Sequence, residues 1–272
     1  MDRKRTKIVK KINILIILVF ITVLFCNFNI AIKANTVFNQ DNQKLFNEAN
    51  EFYTNQQYFK AIELYEKLLN SGIYNGTVYY NLANSYFKNE QLGKAILNYK
   101  NALIFQPRNA DIKANLSFVI DSTPDQISTE ESMDPMLRVL IFWYYNLNLE
   151  ELIYLTIVFN VLVCSGLIFG FIYKNFVLKA SNYIGIIILV ILLISSGIKL
   201  YKNYHPDEGV IVVNETEVKS ANGNSYATLF KLHEGTVFNI EDQKENWYKI
   251  SLSNGQKGWV LKDSIGLINA RM

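Results

Sequence analysis

Cysteine and histidine are nearly missing from this 272-residue chain, with two of each. Cys26 and Cys164 lie inside apolar runs, and no stretch that reads as an aqueous domain holds a cysteine. A disulfide framework and a cysteine-rich zinc site are therefore excluded. His205 and His233 stand alone, without a second ligand at useful spacing, so no metal site is expected. The phosphate-cradling and nucleophile motifs (G-x-x-x-x-G-K-[ST], G-x-G-x-x-G, G-x-S-x-G) are absent as well. With no catalytic constellation, neither an enzyme activity nor a cofactor is expected. Proline occurs four times, at Pro107, Pro124, Pro135 and Pro206, each time between elements. Charge is also scarce: 19% of residues are charged and 50% hydrophobic, where a soluble domain carries about 25% charged residues. Part of the chain is expected in lipid.

The net charge of +3 comes from the N-terminal tip. Residues 1–11 hold six basic residues and one acidic one, and removing them leaves 21 basic against 23 acidic. A basic nucleic-acid-binding face is excluded on that distribution.

Three apolar segments set the expected topology. Residues 12–32 follow the basic tip, and Ala34 offers a cleavage position, so residues 1–34 read as a signal peptide, with an uncleaved N-terminal anchor as the competing reading. Residues 152–173 and 183–200 would span about 33 and 27 Å as helices, against a hydrocarbon core of about 30 Å. The loop 174–182 carries Lys174 and Lys179 and no acid, which places it in the cytoplasm. Both flanking regions then lie outside. Before the hairpin, residues 136–151 hold Trp143, Tyr144 and Tyr145 and read as an interfacial segment. Gly166 and Gly170 form a GxxxG that packs either against the second span or in a homodimer. Asn160 is expected to bond within the hairpin.

Residues 42–109 repeat with a period of 34: Ala49 and Ala83, Phe52 and Tyr86, Ala61 and Ala95, Tyr65 and Tyr99. Helices are expected over about 42–55, 58–70, 76–89, 92–105 and 110–121. The spacing of Tyr79, Leu82-Ala83, Tyr86, Ala95, Tyr99 and Pro107 resembles the tetratricopeptide pattern. That resemblance implies two helical repeats plus a capping helix over 42–121, and a concave groove lined by the first helix of each repeat. Two asparagine rows follow the period: Asn47, Asn81 and Asn115, then Asn50 and Asn84. Their amides either bind an extended peptide in the groove or make polar contacts between helices. Since about three repeats are usually needed for a stable stack, a partner or self-association is expected to complete it.

Residues 122–135 read as an acidic flexible linker. Residues 208–268 read as five short strands, with a turn at Asn254-Gly255. The run from Phe230 to Thr236, then Trp247 to Ile250, then Gly255 to Val260, resembles bacterial SH3-like domains. Such domains often bind cell-wall peptides, which would make Trp247, Tyr248 and Trp259 an aromatic surface. The bland alternative is that these rings pack the barrel.

The expected fold class is a multidomain membrane protein: all-α tetratricopeptide hairpins, a two-helix transmembrane hairpin and a C-terminal all-β SH3-like barrel. This order of parts resembles the BatE-like family of bacterial aerotolerance-operon proteins. The resemblance implies a membrane-anchored, non-catalytic scaffold in the bacterial cytoplasmic (inner) membrane, with both folded domains on the periplasmic side. It also implies protein or peptide partners such as von Willebrand A-type Bat proteins. The alternative is a cell-wall-associated protein that binds peptidoglycan through the SH3-like domain and recruits an enzyme through the repeats.

Overall fold

The computed structural model describes residues 40–125, 136, 141–173 and 176–269. The expected signal or anchor segment, 1–34, lies outside the described residues. Five helices come first: α1 (Gln40–Thr54), α2 (Tyr58–Asn70), α3 (Gly76–Lys88), α4 (Leu92–Phe105) and α5 (Ala110–Asp121). The starts of α2 and α4, and of α3 and α5, are 34 residues apart, so the sequence period is a structural one. The turns repeat too. Gln56 and Glu90, one period apart, both take left-handed backbone, with φ of 59° and 60°. Asn75 caps α3 by accepting from Thr77 N at 2.7 Å, and Asn109 caps α5 by accepting from Asp111 N and Ile112 N. Ala49, Ala61, Ala83 and Ala95 are fully buried, which lets neighbouring helices approach, and the buried rings of Tyr65, Tyr79 and Tyr99 fill the space between them.

A short helix, α6 (Phe142–Asn146), precedes two long apolar ones, α7 (Leu149–Tyr173) and α8 (Phe176–Tyr204). Both long helices are long and apolar enough to cross a membrane. Leu155, Val158, Leu162, Ile187, Val190 and Ile194 point outward from them. The polar groups turn inward. Thr156 Oγ1 lies 3.3 Å from Ser196 Oγ, and Asn182 donates to Gly166 O at 2.9 Å. Asn160 is buried and accepts from Cys164 Sγ within α7. Gly166 and Gly170 receive Asn182 of α8, and a Cβ at Gly166 would lie 2.4 Å from its Oδ1. The GxxxG thus serves packing inside the hairpin. α8 begins before the apolar run, because Asn182 must sit on the helix to reach Gly166; residues 176–182, expected in the loop, are helical.

The C-terminal part is one antiparallel sheet of seven strands: β1 (Glu208–Ile211), β2 (Glu215–Lys219), β3 (Thr228–His233), β4 (Val237–Lys244), β5 (Trp247–Ser251), β6 (Lys257–Leu261) and β7 (Ile265–Leu267). The ladder order is β3-β2-β6-β5-β4-β1-β7. Five strands were expected and seven are present; β7, at three residues, is too short for an alternation pattern to show. Gly255, at φ 85°, supplies the left-handed residue of the β5–β6 turn. Ile211, Val218, Leu232, Phe238, Tyr248, Ile250, Leu252 and Val260 form the core of the sheet.

The chain divides into two compact units. Residues 149–200 fall in one, and residues 36–148 and 201–272 in the other. Within the second unit the helices and the sheet share a core. Val210 of β1 is fully buried in the helical cluster, with Val212, Val237 and Ile268 packed beside it. The next residue, Ile211, is equally buried but faces the sheet core. A strand alternates its side chains between faces, so β1 is sandwiched between α4 and its own domain.

Candidate functional site

The asparagine rows form a ladder between helices. Asn50 Oδ1 accepts from Tyr65 OH at 2.6 Å and from Asn81 Nδ2 at 2.9 Å. One period later, Asn84 Oδ1 accepts from Tyr99 OH and from Asn115 Nδ2 at 3.3 Å. Asn115 also donates to Tyr80 OH. The two triads are the same device built twice: an amide from each of two adjacent first helices, tied by the tyrosine of the second helix between them. Burial raises the Tyr65 phenol to about 12, against a smaller lowering from the Asn81 bond, so Tyr65 keeps its proton and donates. Asn47 differs. It is exposed and accepts from Gln43 on its own helix. Of the five asparagines, Asn47 presents its amide to solvent most openly.

The three aromatic residues of the sheet do not form an open surface. Trp247, Tyr248 and Trp259 are 7%, 5% and 8% exposed. Tyr248 belongs to the sheet core. Trp247 lies on the other face of β5, and Trp259, opposite Lys249 in the ladder, shares that face. The Lys244 ammonium sits 5.6 Å from the Trp259 ring centroid. Lys249 and Lys257 converge there on Glu241. The face is a layer of lysine and glutamate over covered indoles, so of the two readings of these rings the burial favours packing.

The most built polar site lies where the helices meet the sheet. Three glycines allow the approach. A Cβ on Gly93 of α4 would lie 2.3 Å from Ile211 O, one on Gly235 would lie 2.4 Å from Thr123 Cγ2, and one on Gly266 would lie 2.3 Å from Leu97 Cδ2. Polar contacts ring the seam. Lys100 pairs with Glu208 at 3.0 Å, Asn269 N donates to Asn101 Oδ1 at 3.0 Å, and Gly93 N donates to Glu234 Oε2 at 3.3 Å.

The start of the expected linker is part of this seam. Thr123 is buried, and Asp125 is held by the turn after β3. Its Oδ2 accepts from His233 N at 2.8 Å and lies 2.7 Å from Thr236 Oγ1, while Oδ1 is 2.9 Å from His233 Nδ1. Burial would raise the Asp125 carboxyl, but the hydrogen bonds from His233 and Thr236 offset this and hold it below its ordinary value. Over 122–125 the chain is therefore docked, contrary to the flexible tether expected; the remainder, 126–135, lies outside the described residues. One signal was legible in principle. The run Gly209–Val213 is apolar on both of its alternating faces, which marks a strand covered on both sides. Among the described residues, no three His, Cys, Asp or Glu side chains come together as a metal site would require.

The sheet, with a helical layer on one strand, is a small all-β domain joined to helical hairpins. Comparison with known families agrees for the sheet: residues 214–266 match the bacterial SH3 domain family. No curated protein matches the chain.

Proposed function

We propose that this protein is a membrane-anchored, non-catalytic scaffold whose tetratricopeptide-type repeats and SH3 domain act as one extracytoplasmic binding body, in the manner of BatE-like proteins. A bacterial SH3 domain suits a protein- or peptidoglycan-binding role. The observation that carries the scaffold reading is the shared core. Val210 of β1, a strand of the same sheet that precedes the residues matched to the SH3 family, is buried among the helices, so the two modules are presented as one body and not as beads on a string. Two helices able to cross a membrane lie between the two halves of that body in sequence. The partner class is a protein such as a von Willebrand A-type membrane protein, met by the first-helix face around Asn47.

The alternative, peptidoglycan binding through Trp247, Tyr248 and Trp259, is disfavoured by the burial of all three rings. Both readings are tested with the full chain in detergent, against a purified von Willebrand A-type membrane partner and against purified sacculi. Saturable binding to the protein partner, reduced by Asn47→Arg, is expected. Saturable binding to sacculi without binding to the protein partner would replace the scaffold reading with the cell-wall one.

A further inference from the structure

We propose that the His233–Thr236 turn of the SH3 domain is a carboxylate-binding site, and that its ligand is the chain's own Asp125. A carboxylate only accepts hydrogen bonds, in about four lone-pair directions. Here three donors from one turn converge on its two oxygens: the His233 backbone N–H, the His233 ring Nδ1–H and the Thr236 hydroxyl. The Thr236 hydroxyl also lies 2.8 Å from His233 O, and its single proton can serve one acceptor. The carboxylate, being charged, is the stronger of the two.

The turn is also held by the sheet itself. Gly235 takes φ 87°, a conformation open to glycine without strain, and its N–H is anchored to Ile211 O at 2.8 Å. The space left by its missing side chain is filled by Thr123. Pro124 then fixes the backbone between the two docked residues. The turn therefore reads a short segment at two points, a methyl-bearing side chain against Gly235 and a carboxylate two residues later.

The other acids near the turn are engaged elsewhere. Glu215 is paired with Lys231 at 2.7 Å and lies 3.7 Å from His233 Nε2, and Glu234 turns to the Gly93 N–H of α4. Asp125 is thus the carboxylate that the three donors receive. While it is seated, an external acidic side chain or chain terminus cannot enter. With its side chain removed, the same donors are open to a free carboxylate.

The experiment uses the full-length chain in detergent, with hydrogen exchange read at the amides of 233–236 and referenced to the Ile250 amide in the β4–β5 ladder. Asp125→Ala should speed exchange at the turn about tenfold and leave Ile250 unchanged, as expected for the loss of charge-assisted bonds at a local opening. Acetate titrated into Asp125→Ala should restore the protection. Sodium chloride at equal ionic strength should not, and acetate should do nothing to the unaltered chain. Unchanged exchange in Asp125→Ala, or an acetate effect no larger than that of chloride, would overturn the proposal. Should Asp125→Ala fold poorly, Asp125→Asn keeps the volume. It should exchange several-fold faster than the unaltered chain and show no rescue, because the amide fills the site; exchange equal to that of the unaltered chain would overturn the proposal as well.

Discussion

At the junction, Gly93 reverses an ordinary expectation. Replacing glycine with alanine inside a helix gains about 1 kcal/mol in propensity. At Gly93 the added methyl would sit 2.3 Å from Ile211 O, a backbone atom that cannot swing aside. Overpacking of that kind costs about 1–3 kcal/mol, so Gly93→Ala should lower the midpoint of thermal unfolding. An unchanged or raised midpoint would mean that helix and sheet do not approach this closely in solution. Asp125 makes a pH prediction. Its carboxyl is held below the usual 3.8, so its contribution is fully present above that pH and is lost as pH falls through the lower folded value. The comparison that isolates Asp125 is between the unaltered chain and Asp125→Asn. The stability gap, about 1–2 kcal/mol at neutral pH for charge-assisted bonds of this number and exposure, should persist down to the ordinary 3.8 and close as pH falls through the lower folded value. A gap that persists into stronger acid would assign the effect of the substitution to packing.

At the scale of elements, the repeat separates two kinds of asparagine that look alike in sequence. Asn50 Oδ1 is the shared acceptor for the fully buried Tyr65 hydroxyl and for the Asn81 amide. Asn50→Ala should cost about 1–3 kcal/mol by leaving buried donors unmatched, read as a drop in the denaturant midpoint. Asn47→Ala, at an exposed position, should stay within about 0.5 kcal/mol. If both substitutions were neutral, the ladder would contribute no stability. The helices were legible because their spacing is local: small and aromatic residues recur every 34 positions, and the starts of α2 and α4 follow that recurrence. The hairpin was legible from length and apolarity, and the SH3 domain from its tryptophans, glycines and the Asn254-Gly255 turn. The junction was not. Its contacts join residues more than a hundred positions apart, as between Asp125 and His233, and local pattern carries no trace of such pairing. An acidic, proline-bearing stretch reads as a tether by composition, and only the donors of a distant turn make Asp125 a docked residue. For Trp247 and Trp259 both readings stayed open for a similar reason, since period-2 alternation assigns a face but not what covers it.

For the whole molecule, the shared core restricts how the chain can be threaded. Residues 36–148 and 201–272 form one unit in which Val210 lies among the helices. Two segments that share a core lie on the same side of any bilayer, so the number of crossings between them is even. The two intervening helices are each long and apolar enough to cross, and with both in the membrane the residues between them lie on the opposite side. In the proposed topology the lysines at that end of the hairpin, Lys174 and Lys179, put it in the cytoplasm, and the paired domains face outward. Single cysteines test this in intact cells, after Cys26 and Cys164 are replaced by serine and alanine. Ser117→Cys on α5, Lys179→Cys near the start of α8 and Ser253→Cys after β5 occupy exposed positions. A membrane-impermeant maleimide should label Ser117→Cys and Ser253→Cys in intact cells, and should label Lys179→Cys only after the membrane is opened. If Ser117→Cys and Ser253→Cys behave oppositely, an odd number of crossings separates them, and the shared core of repeats and SH3 domain could not exist in the cell. If the two agree but Lys179→Cys labels with them, the hairpin does not cross the bilayer, and the membrane-anchored scaffold loses its anchor between the two halves of the body.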